Sequence, residues 1–138
     1  AQGTQILQET ALFAVWIGEQ ILHDAARQEM KATGLAHTGF EEILSRKLEK
    51  LNSKDREAFW AMSDCHGQDT KSACGVLLTN EMSDTSSDLC AEVFRLGCRF
   101  NHSCMPNVHW RLHAGEIFFH ALRDIKIGEE LMISYSKA

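Results

Sequence analysis

Arg99-Phe100-Asn101-His102-Ser103-Cys104-Met105-Pro106-Asn107 is the densest run of reactive side chains in this sequence. It brings imidazole, thiol, hydroxyl and carboxamide groups within one short segment that also holds the only proline. Pro106 disfavours helical backbone at Met105, so the chain must turn here. Three chemistries fit these residue types. Asn, His and Ser beside a turn can simply satisfy loose backbone groups. Cys104 and His102 could form a nucleophile and base, although residues two apart project poorly toward each other and no third orienting group is specified. Asn and His side chains, with backbone groups, could instead line a polar small-molecule pocket.

A second candidate segment is Asp124-Ile125-Lys126-Ile127-Gly128-Glu129-Glu130-Leu131-Met132-Ile133-Ser134-Tyr135, a charged turn feeding an apolar strand that ends on the only tyrosine. Tyr135 is read either as a core residue with a satisfied hydroxyl or as a functional group. His109, His120 and the nearby His113 are imidazoles of the type that suits Zn²⁺, but the simpler reading is one exposed face of a hairpin. Arg46, Lys47, Lys50, Lys54 and Arg56 read as the solvated face of two helices.

The elements that must position these groups follow from periodicity. Val108, Trp110, Leu112 and Ile117, Phe119, Ala121 alternate with polar neighbours around Ala114-Gly115. A hairpin there pairs Leu112 with Ile117 and Trp110 with Phe119 on one face, and His113 with Glu116 and His109 with His120 on the other. Residues 4–15 read as one or two short strands, and Leu131–Tyr135 as a last one. From Trp16 to about Lys31 apolar residues recur at helical spacing, with Gly34 as a stop. Thr38-Gly39-Phe40-Glu41 has the form of a capping box for a second helix, and Ser53 can cap a third. Cys74-Gly75-Val76-Leu77-Leu78-Thr79 reads as a strand, Glu81–Asp88 as a polar loop, and 95–104 as irregular or a short helix.

Composition narrows the function classes. The 138 residues suit one domain, and 44% of them are hydrophobic. Net charge is −5, from 14 basic and 19 acidic residues, which argues against broad phosphate-backbone binding and favours a basic partner. No apolar stretch of about 18 residues is present, so no membrane-spanning helix is expected. Five cysteines, an odd number without a CxxC pair, point away from a disulfide framework and toward a reducing compartment.

Read together, Asn101-His102-Ser103-Cys104-Met105-Pro106-Asn107, then Ala121-Leu122-Arg123-Asp124-Ile125, then Gly128-Glu129-Glu130-Leu131 and Tyr135 resemble the C-terminal half of the SET domain, the lysine methyltransferase fold. Gly3-Thr4-Gln5-Ile6-Leu7-Gln8-Glu9 is similar to its opening strand pair, and Gly75–Asn80 to the middle strand of the split-SET branch, the SET-and-MYND type and its fungal relatives. The resemblance implies an α+β fold of short strands and small sheets, with a pseudoknot near the C-terminus. It implies a single domain over 1–138, with a helical insert at 16–63 and the C-terminal core at 93–138, incomplete at both ends. The family's Gly-x-Gly motif would lie upstream, and Cys104 would ligate zinc if a Cys-rich post-SET segment follows. The implied reaction is methyl transfer from S-adenosylmethionine to a lysine of a protein, histone or non-histone, in the nucleus or cytoplasm, without direct nucleic-acid or membrane binding. On matching positions Asn101, His102 and Asn80 would hold the cofactor, Tyr135 would be catalytic, and Phe100 would pack beneath the site. The alternative is a catalytically inactive SET-like module acting in protein–protein interaction. A Cys-dependent hydrolase would need an orienting acid that the sequence does not identify.

Overall fold

The structure, a computed structural model, describes residues 3–67, 70–83 and 89–135. Its elements run β1 (Gln5–Thr10), β2 (Phe13–Trp16), α1 (Gln20–Thr33), α2 (Thr38–Glu49), α3 (Ser53–Trp60), α4 (Ala73–Asn80), β3 (Leu89–Val93), β4 (Asn101–His102), β5 (Val108–His113), β6 (Glu116–Ala121) and β7 (Met132–Ile133). Single 3₁₀ turns precede α1 at Ile17–Glu19 and β4 at Gly97–Arg99. The strands form three small sheets, β1-β6-β5, β2-β3 and β4-β7, so the architecture is α+β. No helix among the described residues is long and apolar enough to cross a membrane.

The β5–β6 hairpin has the register that its alternation predicts, with Trp110 opposite Phe119, Leu112 opposite Ile117 and His109 opposite His120. Trp110, Leu112, Ile117 and Phe119 are buried, while His109, Arg111 and His113 are exposed. Full burial of each such side chain is worth about 1.5–3 kcal/mol, which fixes the register because a one-residue slip would swap the faces. Ala114 and Gly115 both take positive φ, as a two-residue hairpin turn requires. On the wet face the Arg111 guanidinium lies 4.1 Å from the Phe118 ring centre. The other edge of β6 pairs antiparallel with β1. Among the described residues no three His, Cys, Asp or Glu side chains converge on a metal position.

Helices α1 to α3 occupy the stretch expected to be helical, and Gly34 ends α1 at φ +73° with its N–H on the Met30 carbonyl. The caps differ by one residue from expectation. His37, not Thr38, caps α2, its Nδ1 accepting the Phe40 N–H at 3.1 Å. Asn52, not Ser53, caps α3 through Oδ1 and the Asp55 N–H at 2.8 Å. In both cases the capping residue has extended backbone and the residue after it is already helical. The basic residues are only partly a solvated face. Lys47 pairs with Glu19 at 2.8 Å, and Arg56 donates to the carbonyls of Leu48, Glu49 and Leu51, closing the end of α2.

The largest departure is Cys74–Thr79, which is helix α4 rather than a strand. Ala73 through Leu77 are all buried, so the segment carries no amphipathic period to distinguish helix from strand. Its N–H groups decide the matter. Ser72 Oγ accepts the Gly75 N–H, and the Glu41 carboxylate reaches across from α2 to take the N–H groups of Ala73 and Cys74 at 2.7 and 2.8 Å. Glu41 thus serves a neighbouring helix rather than its own cap. Gly75 has no room for a Cβ, because the Asp64 carboxylate lies against it while accepting the N–H groups of His66, Gly67 and Ser72. Strand β3 was not anticipated, and it pairs with β2 to close the helical side of the core. The polar loop expected at Glu81–Asp88 is described only to Ser83, where Met82 bridges Glu92; its later part lies outside the described residues.

Two apolar clusters result. One packs the helices on β2, β3 and α4 around Phe13, Phe40, Phe59 and Leu77. The other packs the hairpin with Phe94 and Ile133. Burial pushes the Cys74 thiol well above its ordinary value, so it is an apolar core group.

Candidate active site

The segment that carries the reactive side chains is anchored before it begins. On β1, the Glu9 carboxylate accepts the N–H groups of Leu96 and Gly97 at about 3 Å, holding the turn at Gly97–Arg99 against the three-stranded sheet. Gly97 packs where a Cβ would stand 3.0 Å from Phe94 and 3.2 Å from Phe119. Phe100 then stacks on Phe119, ring centres 4.3 Å apart and nearly parallel.

Asn101 and His102 form β4, which lies parallel to β7 with Asn101 beside Met132 and His102 beside Ile133. The expected strand Leu131–Tyr135 is thus shortened to its two central residues. Asn107 locks the crossing. Its Oδ1 accepts the Met132 N–H at 2.8 Å, its Nδ2 donates to the Glu130 carbonyl at 2.8 Å, and its own N–H reaches the Met132 carbonyl. Buried to 2% exposure, this carboxamide replaces the ladder bonds that a two-residue strand lacks. Ser103 N–H donates to the Ile133 carbonyl, and the Trp110 indole N–H to the Ser134 carbonyl. Nearby, Glu129 holds Arg123 and accepts the Lys126 N–H. The Arg123 hydrogen bond lowers the Glu129 carboxyl to about 2.

These constraints deliver Tyr135 to His102. The Tyr135 N–H donates to His102 Nδ1 at 2.9 Å, the two rings lie 5.0 Å apart, and the Tyr135 hydroxyl donates to the Phe100 carbonyl at 2.9 Å. Tyr135 is 62% exposed, so it is not a core residue although its hydroxyl is satisfied. His102 Nε2 lies 3.4 Å from Cys104 Sγ, so the pair does meet despite its close spacing. Acceptance at Nδ1 puts the proton of the neutral ring on Nε2, facing the sulfur. That tautomer cannot take a proton from the thiol, and among the described residues no carboxylate is hydrogen-bonded to the ring. The arrangement is therefore unsuited to a Cys–His hydrolase.

A cavity of about 530 Å³ opens beside Tyr135 and is lined also by Asn80, Glu81, Arg27, Phe100 and Trp110. Of the residues singled out by sequence, Tyr135 and Asn80 share this cavity. Asn101 and His102 do not line it. Asn101 donates to the Glu130 carboxylate at 2.7 Å. Asn80 spends its amide hydrogens on the carbonyls of Ser63 and Val76, leaving Oδ1 as its polar atom for a ligand.

The cavity lining also holds a charged group that sequence reading missed. Glu81 pairs with Arg27 and lies 2.6 Å from His23 Nε2. Burial pushes the His23 imidazole below its ordinary value, while its Nε2 is hydrogen-bonded to the Glu81 carboxylate. The one signal in the sequence was the spacing of His23 and Arg27, four apart and hence on one face of α1.

Comparison with known proteins fits this geometry. The family model described as the SET domain matches residues 4–136. Histone-lysine N-methyltransferase set5 of Schizosaccharomyces pombe is 33% identical over 97 residues, covering 69% of this chain. Protein-lysine N-trimethyltransferase SMYD5 of Homo sapiens is 36% identical over 88 residues, covering 62% of it. The matched regions span 28% and 19% of those two proteins. With the match running from β1 to the tyrosine beside His102, the chain belongs to the SET domain family.

Proposed function

We propose that this domain transfers a methyl group from S-adenosylmethionine to a lysine side chain of a protein. The observation that carries the reading is the Tyr135 hydroxyl, fixed on the Phe100 carbonyl at the wall of the cavity while His102 holds the same residue by its backbone. The printed names of the relatives, a histone-lysine and a protein-lysine methyltransferase, support a lysine-bearing protein as substrate.

The cavity fits such chemistry. Its volume of about 530 Å³ lies within the range of about 300–1,000 Å³ typical of small-molecule sites. It offers aromatic faces from Phe100, Trp110 and Tyr135, and polar atoms from Asn80, Glu81 and Arg27. When bound, the cofactor supplies an electrophilic methyl group on a sulfonium. What remains for the protein is alignment and a polar cage, since a neutral amine needs no strong acid or base to attack in line. The Tyr135 proton is committed to Phe100, so its oxygen presents lone pairs to the cavity. Asn80 Oδ1 is a second acceptor there. Asn101 and His102 lie outside the cavity lining and are proposed to hold the cofactor from β4, and His102 also sets the position of Tyr135. The segment 101–107, crossed by β7 and clamped by Asn107, supports the pseudoknot reading; α1 to α3 are proposed to be the insert.

The test is transfer of labelled methyl from S-adenosylmethionine to lysine-bearing proteins by the full-length protein, with core histones as one substrate set. Label in lysine is expected. Cofactor binding without transfer to any protein would instead favour an inactive, partner-binding module.

A further inference from the structure

Among the described residues Arg27 is the one cation on the cavity lining, and it stands on α1, far in sequence from the 101–107 motif. Its guanidinium carries five N–H donors, and among the described residues Nη2 is hydrogen-bonded to the Glu81 carboxylate. Glu81 is itself fixed, its other oxygen 2.6 Å from His23 Nε2, so the guanidinium is held at the second atom of a chain of contacts. Both residues of the pair line the cavity; Glu81 is 8% exposed and Arg27 46%, so the more exposed end of the pair is the positive one. The planar fork of an arginine matches a carboxylate, which it can grip through two parallel N–H bonds. The same lining carries the aromatic rings of Phe100, Trp110 and Tyr135. A ligand filling the cavity would therefore present a flat apolar face to these rings and a carboxylate to Arg27.

We infer that Arg27 binds the carboxylate of the amino-acid tail of the sulfonium cofactor, with Glu81 and His23 as positioning residues that aim it. The assignment rests on the methyltransferase reading of the cavity. A carboxylate on the protein substrate has the same chemistry and is the competing source.

Two ligands separate these possibilities. S-adenosylhomocysteine carries the amino-acid tail; 5′-methylthioadenosine keeps the adenosine and sulfur but lacks it. Calorimetric titration of the full-length protein should show Arg27→Met weakening S-adenosylhomocysteine about 10- to 100-fold, as expected for one charge-assisted bidentate contact. Binding of 5′-methylthioadenosine should change less than about twofold, and Arg27→Lys should recover part of the loss. Equal weakening of both ligands would mean a general disturbance and would overturn the assignment. So would unchanged S-adenosylhomocysteine binding with a raised KM for the protein substrate, which would give Arg27 to the substrate instead. A wild-type protein that binds neither ligand would overturn the methyltransferase reading itself, whereas wild-type binding indifferent to Arg27→Met would overturn only this inference.

Discussion

The backbone N–H of Tyr135 donates to Nδ1 of His102 across 33 residues of sequence, at 2.9 Å. This single bond sets the tautomer of the imidazole and the direction of the tyrosine ring. It depends on the parallel β4–β7 pairing, which in turn depends on Asn107. The site is thus assembled from backbone geometry first and side chains second.

Trp110 links the hairpin to that crossing, its ring buried and its indole N–H on the Ser134 carbonyl. Trp110→Ala should destabilise the fold by about 3–5 kcal/mol through the cavity it leaves. Trp110→Phe keeps most of the apolar volume and should cost roughly 1–2 kcal/mol for the lost hydrogen bond and the smaller ring. Denaturant unfolding of both variants checks the ordering. Equal costs would mean that ring volume is not what the core uses.

Gly75 and Asp64 form a second pair with a measurable signature. A methyl at position 75 would collide with the carboxylate that accepts three N–H groups of the following loop. Gly75→Ala should cost about 1–3 kcal/mol by overpacking. Asp64→Ala should cost a similar amount by releasing those N–H groups. The double variant should lose less than the sum, because the collision vanishes with the carboxylate. Additive losses would refute the contact.

How far such features are legible in the sequence depends on how local their causes are. The hairpin was readable because its alternation and its two-residue turn specify register together. Helix α4 was not, since Cys74 to Leu77 are buried on every side and show no period, and the groups that decide for helix are Ser72 and the distant Glu41. Strand β3 carries no clear alternation in Leu89-Cys90-Ala91-Glu92-Val93 and is fixed by pairing with β2. The caps at His37 and Asn52 shifted by one residue because more than one neighbour could serve. At the site, Asn101, His102 and Tyr135 were found through a contiguous motif. Arg27 and Glu81 were missed because 54 residues separate them, and no local pattern marks a pair that only folding creates.

Glu129 predicts a pH dependence. Its carboxyl is lowered from about 4.5 to about 2 by the Arg123 hydrogen bond, so it favours the folded state when ionised. That contribution is fully present above about pH 4.5 and is lost as pH falls toward 2. The melting temperature of Glu129→Gln should therefore lie below wild type at neutral pH, with the gap closing between pH 4.5 and 2. A constant gap across that window would show that Glu129 acts through shape rather than charge.

The most direct test of the account is Tyr135→Phe in the full-length protein. The ring stays beside His102 and the backbone N–H is untouched, while the hydroxyl that donates to Phe100 and faces the cavity is removed. Thermal melting and S-adenosylhomocysteine binding should remain close to wild type, because the lost bond is exposed and worth about 1 kcal/mol or less. Single-turnover methyl transfer on the same preparation should fall about 10²- to 10³-fold, as for loss of one oriented polar group at a reacting centre. A normal transfer rate with a lowered melting temperature would contradict the account, making Tyr135 a structural residue and leaving the cavity without its proposed catalytic group.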